Sequence, residues 1–139
     1  MNDCIFCKII KGEIPSYKIY EDANVYAFLD IAGDVCGHTL VVPKEHFENV
    51  LDVSARTLAD VTAAVQNIAK HFVTDCGYTG VNILNASGKD AEQSVFHLHF
   101  HILPRKAGDG VSGFPKNEKK EIDYEAIKNK LEIKKYVMS

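Results

Sequence analysis

The run Gln93-Ser94-Val95-Phe96-His97-Leu98-His99-Phe100-His101-Ile102-Leu103 constrains this chain more than any other stretch. Histidines and large apolar residues alternate through it, and successive side chains of a β-strand point to opposite sides. A strand over residues 95–103 presents His97, His99 and His101 on one face and Phe96, Leu98, Phe100 and Ile102 on the other. Such a strand needs an apolar layer behind it and carries a row of imidazoles in front. Half of the chain's 6 histidines stand at alternate positions here, which a solvated strand face would seldom collect by chance.

The rest of the pattern supplies that layer. Residues 17–21 and 25–29 are rich in aromatic and branched side chains, flank Asp22-Ala23-Asn24, and read as a hairpin. Gly37 opens a third strand over 38–42, which Pro43 ends. Leu58, Val61, Val65, Ile68 and Phe72 recur at steps of three and four, the spacing of one helical stripe. Ser54 can cap that helix and Gly77 suits its end. Residues 80–84 form a fourth strand and the histidine run the fifth. The stretch 107–115, with Gly108, Gly110 and Gly113, reads as a loop, and Asp123 caps a short final helix carrying Tyr124, Ile127 and Leu131. The sum is an α+β domain with a mainly antiparallel five-stranded sheet, one long helix and a short C-terminal helix.

At 139 residues the chain has the size of one domain, 1–139, and can bury roughly two thirds of the surface it would expose unfolded. Lys plus Arg is 16 against 19 for Asp plus Glu, a net charge of −3, which argues against a protein that coats nucleic acid with clustered cations. No apolar stretch approaches the ~18 residues of a membrane span. Met1-Asn2-Asp3-Cys4 lacks the basic start and apolar run of an export signal. A cytoplasmic domain that touches neither nucleic acid nor membrane is expected. Cys36 and Cys76 stand alone among ordinary neighbours and are expected as small buried hydrophobes. Cys4 and Cys7 are different, because Cys-x-x-Cys lets two thiolates reach one ion or form a redox pair.

Two chemistries compete for the three imidazoles. Same-face neighbours on a strand are ~6.6 Å apart at their backbones, and a metal needs nitrogens at ~2.0 Å, so two of the three could chelate one ion but hardly all three. Alternatively, a neutral imidazole is a good nucleophile when one ring nitrogen is held as a donor and the other left free. His99, flanked by histidines that can orient it and supply protons, is the candidate for attack. Ahead of it, Asn85-Ala86-Ser87-Gly88 and Gln93-Ser94 offer amide, hydroxyl and backbone N–H donors suited to phosphate oxygens, though a plain polar connection between strands would look similar.

These residues together resemble the histidine-triad family of nucleotide hydrolases and transferases. The likeness runs from Cys4 to Arg105 through Ile5-Phe6, Glu13-Ile14-Pro15, Phe28-Leu29-Asp30-Ile31, the segment from Gly37 to His46, and Gln93-Ser94-Val95-Phe96 before the triad. It implies that a nucleoside monophosphate, most simply of a purine, lies against the sheet while His99 attacks its α-phosphorus and forms a nucleotidyl-histidine. His101 would contact the phosphate, His38 would join the cluster from the third strand, and Ser94 and Gln93 would serve the phosphate or leaving group. Asn85 is implied as a further phosphate contact, and Asp30 as the acceptor for ribose hydroxyls beside Phe28 and Ile31. Taken alone, Phe28 and Ile31 could be core, and Asp30 a turn residue. Glu92 departs from the pattern, since many relatives have glycine there and a carboxylate near a phosphate would repel it.

The resemblance also bears on the cysteine pair. In some branches two cysteines join a histidine after the third strand and the first triad histidine around zinc, which here implies Cys4, Cys7, His46 and His97. Four such ligands close zinc's positions and make a structural site. Two free thiols, or a redox pair, are the alternatives, the latter lacking a strand–Cys-x-x-Cys–helix context in the sequence. The reading is thus a phosphoramidase or dinucleoside polyphosphate hydrolase, with a nucleotide-binding or partner-binding module of little turnover as the alternative. A zinc protein without nucleotide chemistry is a third. A homodimer is expected, with the long helix contributing.

Overall fold

The computed structural model describes residues 3–134. Its centre is one antiparallel sheet in which β1 (Lys18–Glu21), β2 (Val25–Leu29), β3 (Thr39–Pro43), β4 (Gly80–Leu84) and β5 (Phe100–Arg105) lie in the order β1-β2-β3-β5-β4. Strand alternation divides β2 and β3 between two layers. Val25, Ala27 and Val41 face one way and pack, with Ile102, against Val61, Ala64, Val65, Ile68 and Phe72 of the long helix. Tyr26, Phe28, Leu40 and Val42 face the other way and pack against Phe6 and Ile9. With both faces covered, the strands read as unbroken apolar runs. Each fully buried branched side chain in these layers contributes roughly 1.5–3 kcal/mol.

The second layer is a short helix, α1 (Ile5–Ile10), that the sequence reading did not contain. Six residues are too few to show a helical period, so its apolar members look like any N-terminal run. Cys4 is its N-cap, Cys7 lies in its first turn, and the Cys4 sulfur accepts from the Cys7 N–H. The long helix, α2 (Ala55–Asp75), starts where Ser54 accepts from the Thr57 N–H, and Gly77 follows its end at φ +83°. The final helix, α3 (Tyr124–Leu131), is capped by Asp123 as expected, but Tyr124 and Leu131 lie exposed. No helix among the described residues is long and apolar enough to cross a membrane.

Three expectations change. Strand β5 begins at Phe100 rather than residue 95, because the chain bends at residues 95–97 and the Leu98 N–H donates outside the sheet, to the Phe47 carbonyl at 2.7 Å. Leu98, Phe100 and Ile102 still turn away from solvent, whereas Phe96 is exposed and anchors nothing. Cys36 and Cys76 are both exposed, since each lies in a connection outside the two apolar layers.

Two backbone positions explain residue choice around the site. Gly37 has φ +87°, and a Cβ there would come within 2.9 Å of the Pro104 ring, so only glycine lets the chain turn tightly into His38. Glu92 has φ +70°, the one non-glycine among the described residues in the left-handed region. That conformation is a physical reason for glycine at this position, and the glutamate stays exposed. Replacing Glu92 with glycine is expected to raise the unfolding free energy by about 1 kcal/mol, read as a higher urea midpoint at unchanged slope. A lower midpoint would mean that the glutamate side chain holds the turn.

Candidate active site and metal centre

Register places the imidazoles on the α1 side of the sheet. His101 pairs with Leu40 of β3, whose side chain lies in the α1 layer, while neighbouring Ile102 packs under α2. The His99 and His101 ring centroids are 4.9 Å apart, those of His38 and His101 5.0 Å, and Phe6 of α1 meets His99 edge-on at 5.1 Å. His99 is 5% exposed, so it presents little more than one edge to solvent.

The hydrogen bonds assign the protons. His99 Nδ1 lies 2.7 Å from the His97 carbonyl, and a carbonyl only accepts, so Nδ1 carries the proton and Nε2 keeps its lone pair. His97 Nε2 lies 2.8 Å from the Pro43 carbonyl and donates to it, which leaves His97 Nδ1 bare. His38 Nδ1 lies 2.9 Å from the Asp34 carboxylate, and His38 Nε2 lies 2.8 Å from His101 Nδ1. Asp34 was not a candidate in the sequence, where a loop carboxylate four residues before a histidine has no distinguishing mark.

Burial favours the neutral form of these rings. Desolvation holds His99 below the ordinary histidine range, and positive charge on His38 would lower it further, against the His97 carbonyl and the Asp30 carboxylate. Desolvation takes His101 to about 4, with His99 and His38 adding to the effect and Asp30 and Asp34 opposing it. Both rings are therefore neutral at neutral pH, each with one ring proton, and His99 Nε2 is an available nucleophile.

Beside the imidazoles an apolar cleft of about 480 Å³ opens between α1 and the sheet, lined by Ile5, Phe6, Ile9, Ile14, Phe28 and Leu40 with Asp30 and Ile31 at its edge. Phe28 is buried beneath it, with its ring 5.4 Å from Phe6, whereas Ile31 is 82% exposed and belongs to no core. One Asp30 oxygen accepts from the Ala32 N–H at 2.8 Å, and the other lies 3.7 Å from His38 Nδ1. Helix α1, which contributes Ile5, Phe6 and Ile9 to this lining, is the part of the site that left no period in the sequence.

In the loop before the triad, Gln93 and Asn85 are both engaged by partners within the chain. Gln93 is buried and all its side-chain capacity is used: Oε1 accepts from the Asn49 amide and the Gly88 N–H, while Nε2 donates to the Glu48 and Val95 carbonyls. It ties three segments together and has no donor left for a phosphate. Asn85 donates from Nδ2 to the His99 carbonyl at 3.0 Å and accepts from the Ser87 hydroxyl, so it braces the backbone of the candidate nucleophile. Ser94 is exposed, and its hydroxyl has no partner among the described residues.

Cys4, Cys7, His46 and His97 converge on the far side of His97. His46 Nδ1 and His97 Nδ1 are 3.2 Å apart, Cys4 Sγ and Cys7 Sγ lie 3.4 and 3.5 Å from His97 Nδ1, and Cys7 Sγ lies 3.4 Å from His46 Nδ1. A tetrahedral ion with ~2.0 Å bonds to nitrogen and ~2.3 Å to sulfur has edges of about 3.3 Å between nitrogens and about 3.5 Å between nitrogen and sulfur. The donor set fits such an ion, and the Pro43 carbonyl fixes the His97 tautomer that ligation needs.

The HIT domain model matches residues 11–108, which include His38, His46 and the triad. The chain belongs to the HIT family. A HIT family member from Bacillus subtilis has the same fold, with a TM-score of 0.79 and 44% identity over 93% of this chain and 94% of that one. An adenosine 5'-monophosphoramidase of Candida albicans is 42% identical over 119 residues, 81% of this chain and 78% of its own. A Zn-bound histidine triad family protein from Mycobacterium smegmatis has a TM-score of 0.75 at 39% identity, covering 84% of this chain and 85% of that one. The α+β fold inferred from the strand and helix pattern of this HIT protein is the one found.

Proposed function

We propose that this HIT protein hydrolyses phosphoramidate or dinucleoside polyphosphate derivatives of a purine nucleoside 5'-monophosphate through a nucleotidyl intermediate on His99. The observation that carries this reading is the 2.7 Å hydrogen bond from His99 Nδ1 to the His97 carbonyl, which fixes one nitrogen and frees the other. In this scheme the base enters the apolar cleft between Phe6 and Phe28 with Ile31 at its rim, and Asp30 accepts from the ribose hydroxyls. His99 Nε2 attacks the α-phosphorus, and the bond to the leaving group breaks as that group takes up a proton from solvent. Water then attacks the α-phosphorus and gives its proton to His101 Nε2. The phosphorus–Nε2 bond breaks to return neutral His99 and the nucleoside monophosphate, and His101 releases the proton to solvent. The Ser94 hydroxyl, exposed beside the triad, donates to a phosphate oxygen. The Candida relative, named as an adenosine 5'-monophosphoramidase, supports the substrate class.

The same reading assigns zinc to Cys4, Cys7, His46 and His97. A closed Cys₂His₂ set has no open position for water, so the ion acts as a staple and contributes no step. The staple would fasten α1, which walls the cleft, to residue 97, whose carbonyl orients His99.

A homodimer completes the proposal. Strand β4 is a sheet edge, Ile83 and Leu84 on it are exposed, and a groove lined by Ala59, Ala63, Val65 and Phe100 runs beside it along α2. Pairing two copies would cover that edge.

His99→Ala is expected to lower turnover of adenosine phosphoramidate at least 1,000-fold, on the order of the loss of a covalent nucleophile, with nucleotide affinity within a few-fold of the parent. A variant that turned over like the parent would refute the mechanism, and a parent inert toward both substrate types would favour the binding module. Metal analysis of protein purified without added zinc should find about one zinc per chain, with Cys7→Ser lowering both zinc content and the unfolding midpoint. A zinc content near zero would remove the site. Light scattering at micromolar concentration should give twice the chain mass, and the chain mass itself would remove the dimer.

A further inference from the structure

Asp34 has no part in the scheme above, yet its carboxylate ends the imidazole chain. The loop from Asp30 to His38 is closed by the Asp30 N–H donating to the His38 carbonyl at 2.8 Å and the His38 N–H donating to the Val35 carbonyl at 3.1 Å. Within it Asp34 Oδ1 accepts from the Val35 N–H and from His38 Nδ1, each at 2.9 Å. The loop thus turns this carboxylate back onto a histidine that is 6% exposed, while the carboxylate itself stays more than half exposed.

With both rings neutral, the 2.8 Å contact between His38 Nε2 and His101 Nδ1 needs one proton between the two nitrogens, and two arrangements supply it. If His38 carries its proton on Nδ1, then His101 donates from Nδ1 and its Nε2 is bare. If His38 carries its proton on Nε2, the donor is His38, and His101 must hold its own proton on Nε2. A carboxylate only accepts, so Asp34 at 2.9 Å selects the first arrangement. The other carboxylate nearby cannot substitute, because Asp30 Oδ2 lies 3.7 Å from His38 Nδ1 and Oδ1 is engaged by the Ala32 N–H.

We propose that Asp34 is a positioning residue that acts through His38 to keep Nε2 of His101 free to take the proton of the attacking water. This rests on the hydrolytic role given to His101 above, but its first consequence belongs to the resting protein. Without Asp34, nothing opposes the second arrangement, in which His101 meets the water with an N–H and cannot act as a base.

The test is nitrogen-15 NMR of the histidine tautomers in the parent, Asp34→Ala and Asp34→Asn, with steady-state kinetics on adenosine phosphoramidate. Asparagine keeps a carbonyl acceptor at the same place, and the exposed position makes both variants safe for folding. Parent and Asp34→Asn should show His38 and His101 protonated on Nδ1, and Asp34→Ala should show His101 protonated on Nε2. The kcat of Asp34→Ala should fall about tenfold with KM within twofold, and Asp34→Asn should retain most of the parent's kcat. A parent-like tautomer in Asp34→Ala, an altered tautomer with unchanged kcat, or an Asp34→Asn variant that matches Asp34→Ala would each overturn the proposal. The tautomers are read without substrate. A failure here is therefore distinct from failure of the His99 mechanism, which would appear as turnover surviving in His99→Ala.

Discussion

The hydrogen bond from His99 Nδ1 to the His97 carbonyl is the interaction on which the site depends. It is made by the backbone of one triad residue to the ring of the next but one, so it needs the chain to bend between them rather than lie flat in a strand. Residues 95–99 do this by leaving the sheet and leaning on the Phe47 carbonyl. His97 holds still because its own ring is bound at Nε2 by Pro43 and faces Cys4, Cys7 and His46 at Nδ1. One residue therefore faces the cysteine–histidine cluster with its side chain and orients the candidate nucleophile with its backbone.

The helix α1 joins the same two regions by a second route. Its N-cap is Cys4, its first turn holds Cys7, and its apolar side carries Phe6 and Ile9 into the cleft. A helix of this length is marginal by itself in water, because nucleation is unfavourable and few bonds follow it. Its place is secured by packing on Tyr26, Phe28, Leu40 and Val42 and by the cluster at its start. Order in the cleft wall and order in the cluster are in this sense one property.

Much of this was legible in the sequence because it lay in periodicities. The runs of aromatic and branched residues in β2 and β3, the three-and-four spacing along α2 and the Ser54 and Asp123 caps each have a direct geometric consequence, and the elements appear where those signals stand. The histidine triad and the cysteine pair were legible as chemistry because their residue types are rare in such patterns. What escaped was set by tertiary contact. Helix α1 is too short to show a period, Gln93 spends its amide on three loops that only the fold brings together, and Asp34 reaches His38 through a loop closure that leaves no mark on spacing. The triad strand itself was placed five residues too early, because the apolar–histidine alternation continues through a segment that bends and is unpaired in the sheet.

The account stands or falls on whether an imidazole nitrogen at residue 99 becomes bonded to phosphorus during turnover. The most direct measurement is rapid quenching of the protein with a nucleoside phosphoramidate labelled at the α-phosphate, followed by mapping of the labelled peptide under alkaline conditions, where a phosphorus–imidazole bond survives. The account predicts one label, carried on the ring of His99 and discharged as the nucleoside monophosphate on acidification. Substrate cleavage at the normal rate with no label on that ring, or with the label on another residue, would contradict it.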